Sequence, residues 1–235
     1  MRVEWLLQTA AGQPALRQGV APAGLLGPDE RALFDALRTD KGRHDWLLGR
    51  WTAKRLVQAV AQRAGRVVPL DRIAIGNRAS GEPTATLRDD PRTALTLSLS
   101  HSHGFALCAV LPAADRPLGI DLERVTPRPA GFLADYATPA EQALVAGTPA
   151  ERRDLHVTAI WSAKEAVLKA LHKGLSVDTR AVSCLIDLAG REPFEWQPFA
   201  VKLDPERLPQ APAALRGWWR VAGPFVMTLA TDDSI

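Results

Sequence analysis

Apolar residues recur along this chain with two periods, and each period predicts a different secondary structure. A spacing near 3.6 residues is typical of amphipathic helices, whereas alternation of apolar and polar residues is typical of strands. The helical spacing predicts helices over residues 28–37, 45–64 and 151–172, and a shorter helical region over 131–145 with a start signal at Thr138. Alternation predicts strands over residues 3–7, 118–125, 182–188 and 219–229, and two more on either side of Ser100–His103. The Pro-rich, polar residues 193–212 are predicted to be a connection.

The central helix contains a segment, Trp161–Ala170, that no Gly or Pro interrupts. Ser162 precedes Glu165 by three residues, as in a capping box, so Ser162 is a candidate helix start. The 3.6-residue period lines up four side chains on one stripe: Trp161, Glu165, Lys169 and His172. Small and apolar residues face the other way and can pack: Ala163, Ala166, Val167 and Ala170. The alternative for Glu165 and Lys169 is an ordinary solvated pair, since exposed pairs one turn apart are common.

One predicted strand carries two carboxylates, Asp121 and Glu123. The period of two puts both on one face, where like charges raise one carboxyl pKa unless a cation joins them. A hard divalent ion would turn the pair into a site of oxygen ligands, and a third carboxylate from Glu165 would suit Mg²⁺. The alternative is a solvent-facing strand whose acids pair with Arg124 or Arg116.

Two groups of polar residues in the first half of the chain are candidates for binding an anion. Arg50 and Lys54 lie one helical turn apart, a spacing that can hold one phosphate but that also occurs on a solvated basic face. Ser100 and His101 lie where two strand-like runs meet, and both side chains can donate to a phosphate. Adjacent residues of an extended chain point to opposite faces and no third triad member is evident, which argues against Ser–His nucleophilic catalysis.

The composition limits the class of protein. The 235 residues are 46% hydrophobic, enough for a sizeable core in one large or two small domains. A net charge of +3 and a pI near 9.1 favour an anionic small molecule or an acidic protein as partner, without the dense basic runs of a nucleic-acid binder. Cys108 and Cys184 lack metal-ligand spacing, which predicts buried thiols of a reducing compartment. The lack of a long apolar run predicts a soluble, cytoplasmic protein with no membrane span.

Three segments, in this order, resemble the Sfp-type 4′-phosphopantetheinyl transferases, which activate carrier proteins of peptide and polyketide synthesis: residues 98–102, 119–123 and 161–169. The helix around Gly49 is also similar to the family's N-terminal region. The resemblance implies a monomer with an α+β fold of two pseudo-symmetric subdomains, each a small antiparallel sheet packed with a long helix. The subdomains would be residues 1–115 and 116–235, with coenzyme A in the cleft between them.

The resemblance also implies roles for individual residues. The implied Mg²⁺ ligands are Asp121, Glu123 and Glu165. The implied catalytic residues are Glu165, Lys169 and His101, of which the last two would contact phosphates of coenzyme A. Ser100 would lie near the adenosine, and Arg50 would meet the 3′-phosphate. Two more lysines are expected to contact coenzyme A: Lys54 and Lys164.

The reaction implied is transfer of phosphopantetheine from coenzyme A to a serine of an apo carrier protein, with release of adenosine 3′,5′-bisphosphate. The acceptor would be an acyl or peptidyl carrier of a polyketide, nonribosomal peptide or fatty-acid synthase, and Glu165 would take the serine proton directly or through water. Two alternatives stay open. A Mg²⁺-dependent phosphodiesterase or nuclease would hydrolyse without any carrier, and a non-catalytic module for a nucleotide or an acidic protein would still bind without Asp121 and Glu123.

Overall fold

The computed structural model describes residues 2–235 other than 79–80, 91, 94, 189–193 and 213, and in it the chain divides into two compact units. The first unit is Met1–Arg116 with Ser234–Ile235, and the second is Pro117–Asp233. Each unit contains one five-stranded antiparallel sheet and one long helix. The predicted α+β class, with two similar subdomains, is therefore confirmed.

The first unit packs a long helix against its sheet. The strands are β1 (Glu4–Thr9), β2 (Ile73–Asn77), β3 (Pro83–Leu87), β4 (Thr96–Ser102) and β5 (Phe105–Leu111), in the spatial order β1-β5-β4-β3-β2. The helices are α1 (Pro14–Arg17), α2 (Pro28–Asp35) and α3 (Asp40–Arg63), with 3₁₀ turns at Ala10–Gly12 and Leu70–Arg72. The apolar side of α3 forms the core with the sheet through Ala53, Leu56 and Val57.

The second unit repeats this arrangement. Its strands are β6 (Leu118–Arg124), β7 (Val182–Leu185), β8 (Gln197–Leu203), β9 (Arg216–Ala222) and β10 (Phe225–Thr231), in the order β6-β10-β9-β8-β7. Its helices are α4 (Phe132–Tyr136), α5 (Pro139–Ala146) and α6 (Arg153–Ala170), with 3₁₀ turns at Ala150–Arg152, Gly174–Ser176 and Thr179–Ala181. The predicted core face of α6 is confirmed, because Ala163, Ala166 and Val167 are all buried.

Helix α6 lies unusually close to β6, and a glycine allows this approach. A Cβ atom built on Gly119 would overlap the backbone carbonyl oxygen of Ala166. Because the clash is with backbone, no side-chain movement would relieve it. The absent side chain thus lets the strand that carries Asp121 and the helix that carries Glu165 pack in direct contact.

Three details of the predicted elements are corrected by the structure. Helix α6 begins at Arg153, so Ser162 lies buried inside the helix and does not cap it. Residues 219–229 are not one strand, because a turn with Gly223 at φ 58° separates β9 from β10. The predicted connection 193–212, whose first residue lies outside the described residues, contains β8, so its Pro-rich, polar composition did not exclude a strand.

The predicted cap at Thr138 and the predicted burial of both cysteines are confirmed. Thr138 caps α5, since its hydroxyl accepts from the Glu141 N–H while the Glu141 carboxylate accepts from the Thr138 N–H. Cys108 and Cys184 are buried free thiols, and burial raises the pKa of both. Among the helices of the described residues, none combines the length and apolarity that crossing a membrane requires.

Candidate functional site

The three predicted carboxylates lie within one unit, and the pKa values of Glu123 and Glu165 are raised in part by their acidic neighbours. Asp121 and Glu123 stand on β6, and Glu165 stands on α6, which packs against that strand. Burial raises the pKa of Glu165 to about 7; the charges of Asp121 and Glu123 add to the rise, and Lys169 opposes it. Burial also raises the pKa of Glu123, with a further contribution from Asp121. Glu123 and Glu165, whose pKa values are both raised, suit a proton acceptor or a cation site.

Asp121 is held by two side chains of α6, one of which is itself bonded to a side chain of β10. Lys169 on α6 donates to Oδ1 at 2.7 Å, and Ser162 on α6 donates to Oδ2 at 2.8 Å. The Ser162 oxygen lies 2.8 Å from the Thr228 hydroxyl on β10, the strand that pairs with β6. Because Ser162 gives its proton to Asp121, Thr228 donates to Ser162. These bonds fix the orientation of a carboxylate that is only 3% exposed.

Lys169 is a member of this site and not simply the partner of Glu165 in a solvated pair. Besides Asp121, its Nζ donates to the carbonyl oxygen of Ile120 at 3.2 Å. The side chain keeps 27% of its surface exposed. Lys169 can therefore still approach an anion bound at the surface of the unit.

Glu123 is held from the loop that follows β6 and from α6. Nη2 of Arg128 donates to Oε2 at 3.0 Å, and the Trp161 indole N–H donates to the same carboxylate. The Trp161 ring packs edge-on against Phe132 and Tyr136, each with a centroid distance of 5.2 Å. The aromatic cluster thereby fixes the indole that binds Glu123.

The donor set fits a hard divalent cation, although the described residues do not form a ready coordination shell. Three carboxylates supply the oxygen ligands that Mg²⁺ prefers, and a cation would relieve the repulsion that contributes to the raised pKa of Glu165. Within the described parts of the chain, no group of three or more His, Cys, Asp or Glu side chains is arranged to hold a metal ion. Two of the three carboxylates are instead paired with the internal cations Lys169 and Arg128.

The first unit contains the other predicted residues, and Arg50 has the features of an anion-binding side chain. Its guanidinium lies 4.4 Å from the centroid of the Trp46 ring, and its Nε, 3.8 Å from Glu30 Oε1, makes no hydrogen bond to any described residue. Burial lowers the pKa of Arg50, and Glu30 opposes this change. The side chain is only 11% exposed, so a bound anion would compensate for lost hydration.

His101 lies at the end of β4, where a glycine of α3 makes room for its ring. A Cβ atom on Gly49 would overlap Nε2 of His101. His101 is exposed, whereas the neighbouring Ser100 is 7% exposed. The two side chains therefore differ in access, as expected for adjacent residues on a strand.

The prediction that Lys54 binds coenzyme A is corrected, because this lysine has a structural role. Its side chain has no exposed surface, and its ammonium pairs with Glu30. The Nζ also donates to the carbonyl oxygens of Leu25 at 2.7 Å and Leu70 at 3.1 Å. All three ammonium protons thus have partners inside the protein.

Lys164 is corrected in the same way. Its side chain is 1% exposed, and its Nζ lies 2.9 Å from Oε2 of Glu141 and donates to the carbonyl oxygens of Thr179 and Val182. Glu141 is fully buried and also accepts from the Cys184 N–H at 2.7 Å. The pair ties α5, α6 and β7 together, and Lys164 does not reach solvent.

Three residues of the site were not identified from the sequence: Ser162 as a partner of Asp121, Thr228 and Arg128. Ser162 had been considered only as a helix cap. Thr228 lies far along the chain from Asp121, and only the register of β6 with β10 places the two residues opposite each other. Arg128 follows β6 in a Pro-containing loop, where no periodic pattern indicates the direction of a side chain.

Comparisons with known proteins agree with the motifs. Residues 117–221 match the family model of the 4′-phosphopantetheinyl transferase superfamily. The 4′-phosphopantetheinyl transferase Svp of Streptomyces mobaraensis is 40% identical over 94 residues, which are 38% of this chain and 38% of that protein. The 4′-phosphopantetheinyl transferase psf-1 of Bacillus pumilus is 29% identical over 146 residues, which are 62% of this chain and 54% of that protein. The matches thus span from 38% to 54% of the length of these relatives.

A solved structure is similar at a lower level. The holo-(acyl-carrier-protein) synthase of Bacillus anthracis, in complex with coenzyme A (3′,5′-ADP), is 20% identical, with a TM-score of 0.37 over 46% of this chain and 92% of that chain.

The segment that matches the family contains β6, α4, α5 and α6, and with them all three carboxylates. The overlap gives the class of protein that this segment resembles. Residues 117–221 match the 4′-phosphopantetheinyl transferase superfamily, in agreement with the sequence motifs.

Proposed function

We propose that this protein is a 4′-phosphopantetheinyl transferase, which transfers the phosphopantetheine group of coenzyme A to a serine of an apo carrier protein. The observation that carries the proposal is the trio Asp121, Glu123 and Glu165 beside Lys169, within the segment that matches the superfamily. The relatives named above are themselves described as 4′-phosphopantetheinyl transferases, which supports the same reaction.

In the proposed reaction the acceptor serine oxygen attacks the phosphorus that bears the pantetheine. A new P–O bond forms, the bond to the bridging pyrophosphate oxygen breaks, and adenosine 3′,5′-bisphosphate leaves with the electron pair. Glu165 is the proposed base that takes the serine proton, directly or through a water. Its pKa of about 7 suits this role, because a base works best when its pKa lies near the working pH.

The remaining residues bind and orient the substrate. Mg²⁺, when bound by Asp121, Glu123 and Glu165, would supply positive charge to the pyrophosphate. Lys169 supplies a further cation at the same site. In the first unit, we propose that Arg50 binds the 3′-phosphate and His101 a phosphate, with Ser100 near the adenosine.

We further propose an Sfp-type enzyme that acts in the cytoplasm as a monomer. The proposed acceptors are acyl or peptidyl carriers of polyketide, nonribosomal peptide or fatty-acid synthases. The net charge of +3 supports an acidic partner.

Intact-mass spectrometry of an apo carrier protein tests the proposal. After incubation with this protein, coenzyme A and Mg²⁺, we expect the carrier to gain the mass of one phosphopantetheine, and we expect no gain with EDTA. The Glu165→Gln variant should lose the activity while still binding coenzyme A, and the exposed-site control Glu151→Gln should remain active. Cleaved coenzyme A with an unmodified carrier would favour a phosphodiesterase, and unchanged coenzyme A with several carrier types would contradict the proposed reaction.

A further inference from the structure

Arg128 belongs to none of the predicted motifs, yet it contacts the centre of the site. Its Nη2 donates to Oε2 of Glu123 at 3.0 Å, and its guanidinium carbon lies 5.3 Å from the centroid of the Phe132 ring. Its Nε is buried and makes no hydrogen bond to the described residues. The side chain is 22% exposed, which leaves it access to solvent. One edge of the guanidinium is thus engaged, while a donor next to it is unused.

The pairing with Glu123 affects how the site meets a cation. Three ionised carboxylates would carry a charge of −3, and the two cations that touch them, Lys169 and Arg128, reduce the sum to −1. A divalent cation that approaches Glu123 therefore meets the positive guanidinium of Arg128, which already binds one of the two Glu123 carboxylate oxygens. Repulsion between the two cations weakens binding of the metal when it arrives alone.

A phosphate group changes this balance. An arginine fork binds phosphate oxygens through two parallel hydrogen bonds, a geometry that a single contact with Glu123 does not use fully. If Arg128 turns to a phosphate, its guanidinium no longer neutralises the Glu123 carboxylate. The same positive charge then attracts the phosphate. A divalent cation and a pyrophosphate would then each make it easier for the other to bind.

We propose that Arg128 is a further substrate-binding residue: it neutralises Glu123 in the empty site and moves to a phosphate oxygen of coenzyme A when a divalent cation occupies the carboxylates. The inference rests on the proposed function for the identity of the phosphate ligand. Its consequence is positive coupling between the divalent cation and coenzyme A.

The test compares Arg128→Gln with Arg124→Gln, which removes the same charge from an exposed position four residues earlier. Affinity for Mn²⁺ is measured by titration calorimetry with and without coenzyme A, and affinity for coenzyme A with and without Mn²⁺. For Arg128→Gln we expect about three- to tenfold tighter binding of Mn²⁺ alone, since one partly exposed positive charge is lost. We expect at least about tenfold weaker binding of coenzyme A in the presence of Mn²⁺, since a charged phosphate contact is lost.

The conservative variant separates charge from geometry. Arg128→Lys should bind Mn²⁺ alone as weakly as the wild type, but should recover only part of the affinity for coenzyme A, because lysine lacks the fork. Arg124→Gln should match the wild type in every titration. Circular dichroism at the titration temperature checks that all variants are folded.

Unchanged or weaker binding of Mn²⁺ to Arg128→Gln would show that Arg128 only supports Glu123 structurally. Unchanged affinity for coenzyme A would overturn its role as a phosphate ligand. Failure of the proposed function gives a different result. A wild type that binds Mn²⁺ but no coenzyme A would contradict both the proposed transferase activity and the phosphate contact of Arg128. The titration of Mn²⁺ alone would still show whether Arg128 neutralises Glu123.

Discussion

The raised pKa of Glu165 makes a quantitative prediction about stability and pH. We expect Glu165→Gln to become progressively more stable than the wild type as the pH rises from about 4.5 to about 7. Below this window the carboxyl is protonated in both the folded and the unfolded chain. Within the window only the folded chain holds the proton, so the wild type loses stability with each step in pH. Above the window the carboxylate is ionised in both states, and the loss is complete.

The magnitude follows from the groups around Glu165. A shift from 4.5 to about 7 corresponds to about 3.5 kcal/mol, at about 1.4 kcal/mol per pKa unit. This is an upper value because Glu165 retains some access to solvent, which screens its charge, so we expect about 1–3 kcal/mol. Burial is the main cause and Asp121 and Glu123 add to it, whereas Lys169 and Arg128 oppose it.

Urea unfolding of the wild type and Glu165→Gln, in EDTA at several values from about pH 5 to about pH 8, measures this difference. Glu151→Gln, which alters an exposed acid of the same unit, is the control; because it keeps Glu165, its stability should follow that of the wild type at every pH. Added Mg²⁺ should reduce the pH trend of the wild type, since a cation at the carboxylates favours the ionised form. A difference between Glu165→Gln and the wild type that stays flat from acid to neutral pH would refute the reasoning, whatever its absolute size.

The carboxylates of the site could be predicted from sequence because each belongs to a regular pattern. The period of two placed Asp121 and Glu123 on one face of β6, and the 3.6-residue period separated Glu165 and Lys169 from the apolar face of α6. What the periods could not show is which side chains meet across elements. The contact between Arg128 and Glu123 depends on the course of a loop, and a loop has no repeat from which its direction can be predicted.

The prediction for Lys164 was wrong for a different physical reason. Its position on α6 does not distinguish an exposed lysine from a buried one, and lysine is rarely buried unless it is paired. The partner, Glu141, caps a different helix, and the carbonyl oxygens of Thr179 and Val182 complete the pocket for its ammonium. Such a pocket exists only after the second unit has folded.

A comparison of the two halves of the sequence would have predicted that both lysines are buried, because the same short segment occurs in each half. Trp51–Lys54 reads Trp-Thr-Ala-Lys, and Trp161–Lys164 reads Trp-Ser-Ala-Lys. In each unit the lysine pairs with a glutamate that stands two residues after a proline at the start of a short helix, Glu30 in α2 and Glu141 in α5.

The comparison of units also separates structural from functional residues. The buried lysine–glutamate pair occurs in both units, so its role belongs to the shared fold. The residue after the lysine differs, since Arg55 follows Lys54 whereas Glu165 follows Lys164. The carboxylate site is therefore a property of the second unit alone within this repeated segment, which agrees with the extent of the family match.

Two further predictions follow from the packing of α6. Gly119→Ala should destabilise the protein by at least about 3 kcal/mol in urea unfolding, because the new methyl group overlaps the Ala166 carbonyl. The control is Gly147→Ala, whose nearest neighbours lie 3.7 Å or more away, and it should cost less than about 1 kcal/mol. Lys164→Met should cost about 3–5 kcal/mol at neutral pH, since it leaves the buried charge of Glu141 without its partner. Adding Glu141→Gln removes that charge and keeps an acceptor oxygen, so the double variant should recover much of the loss. A cost of the single variant below about 1 kcal/mol would contradict the importance of this pair.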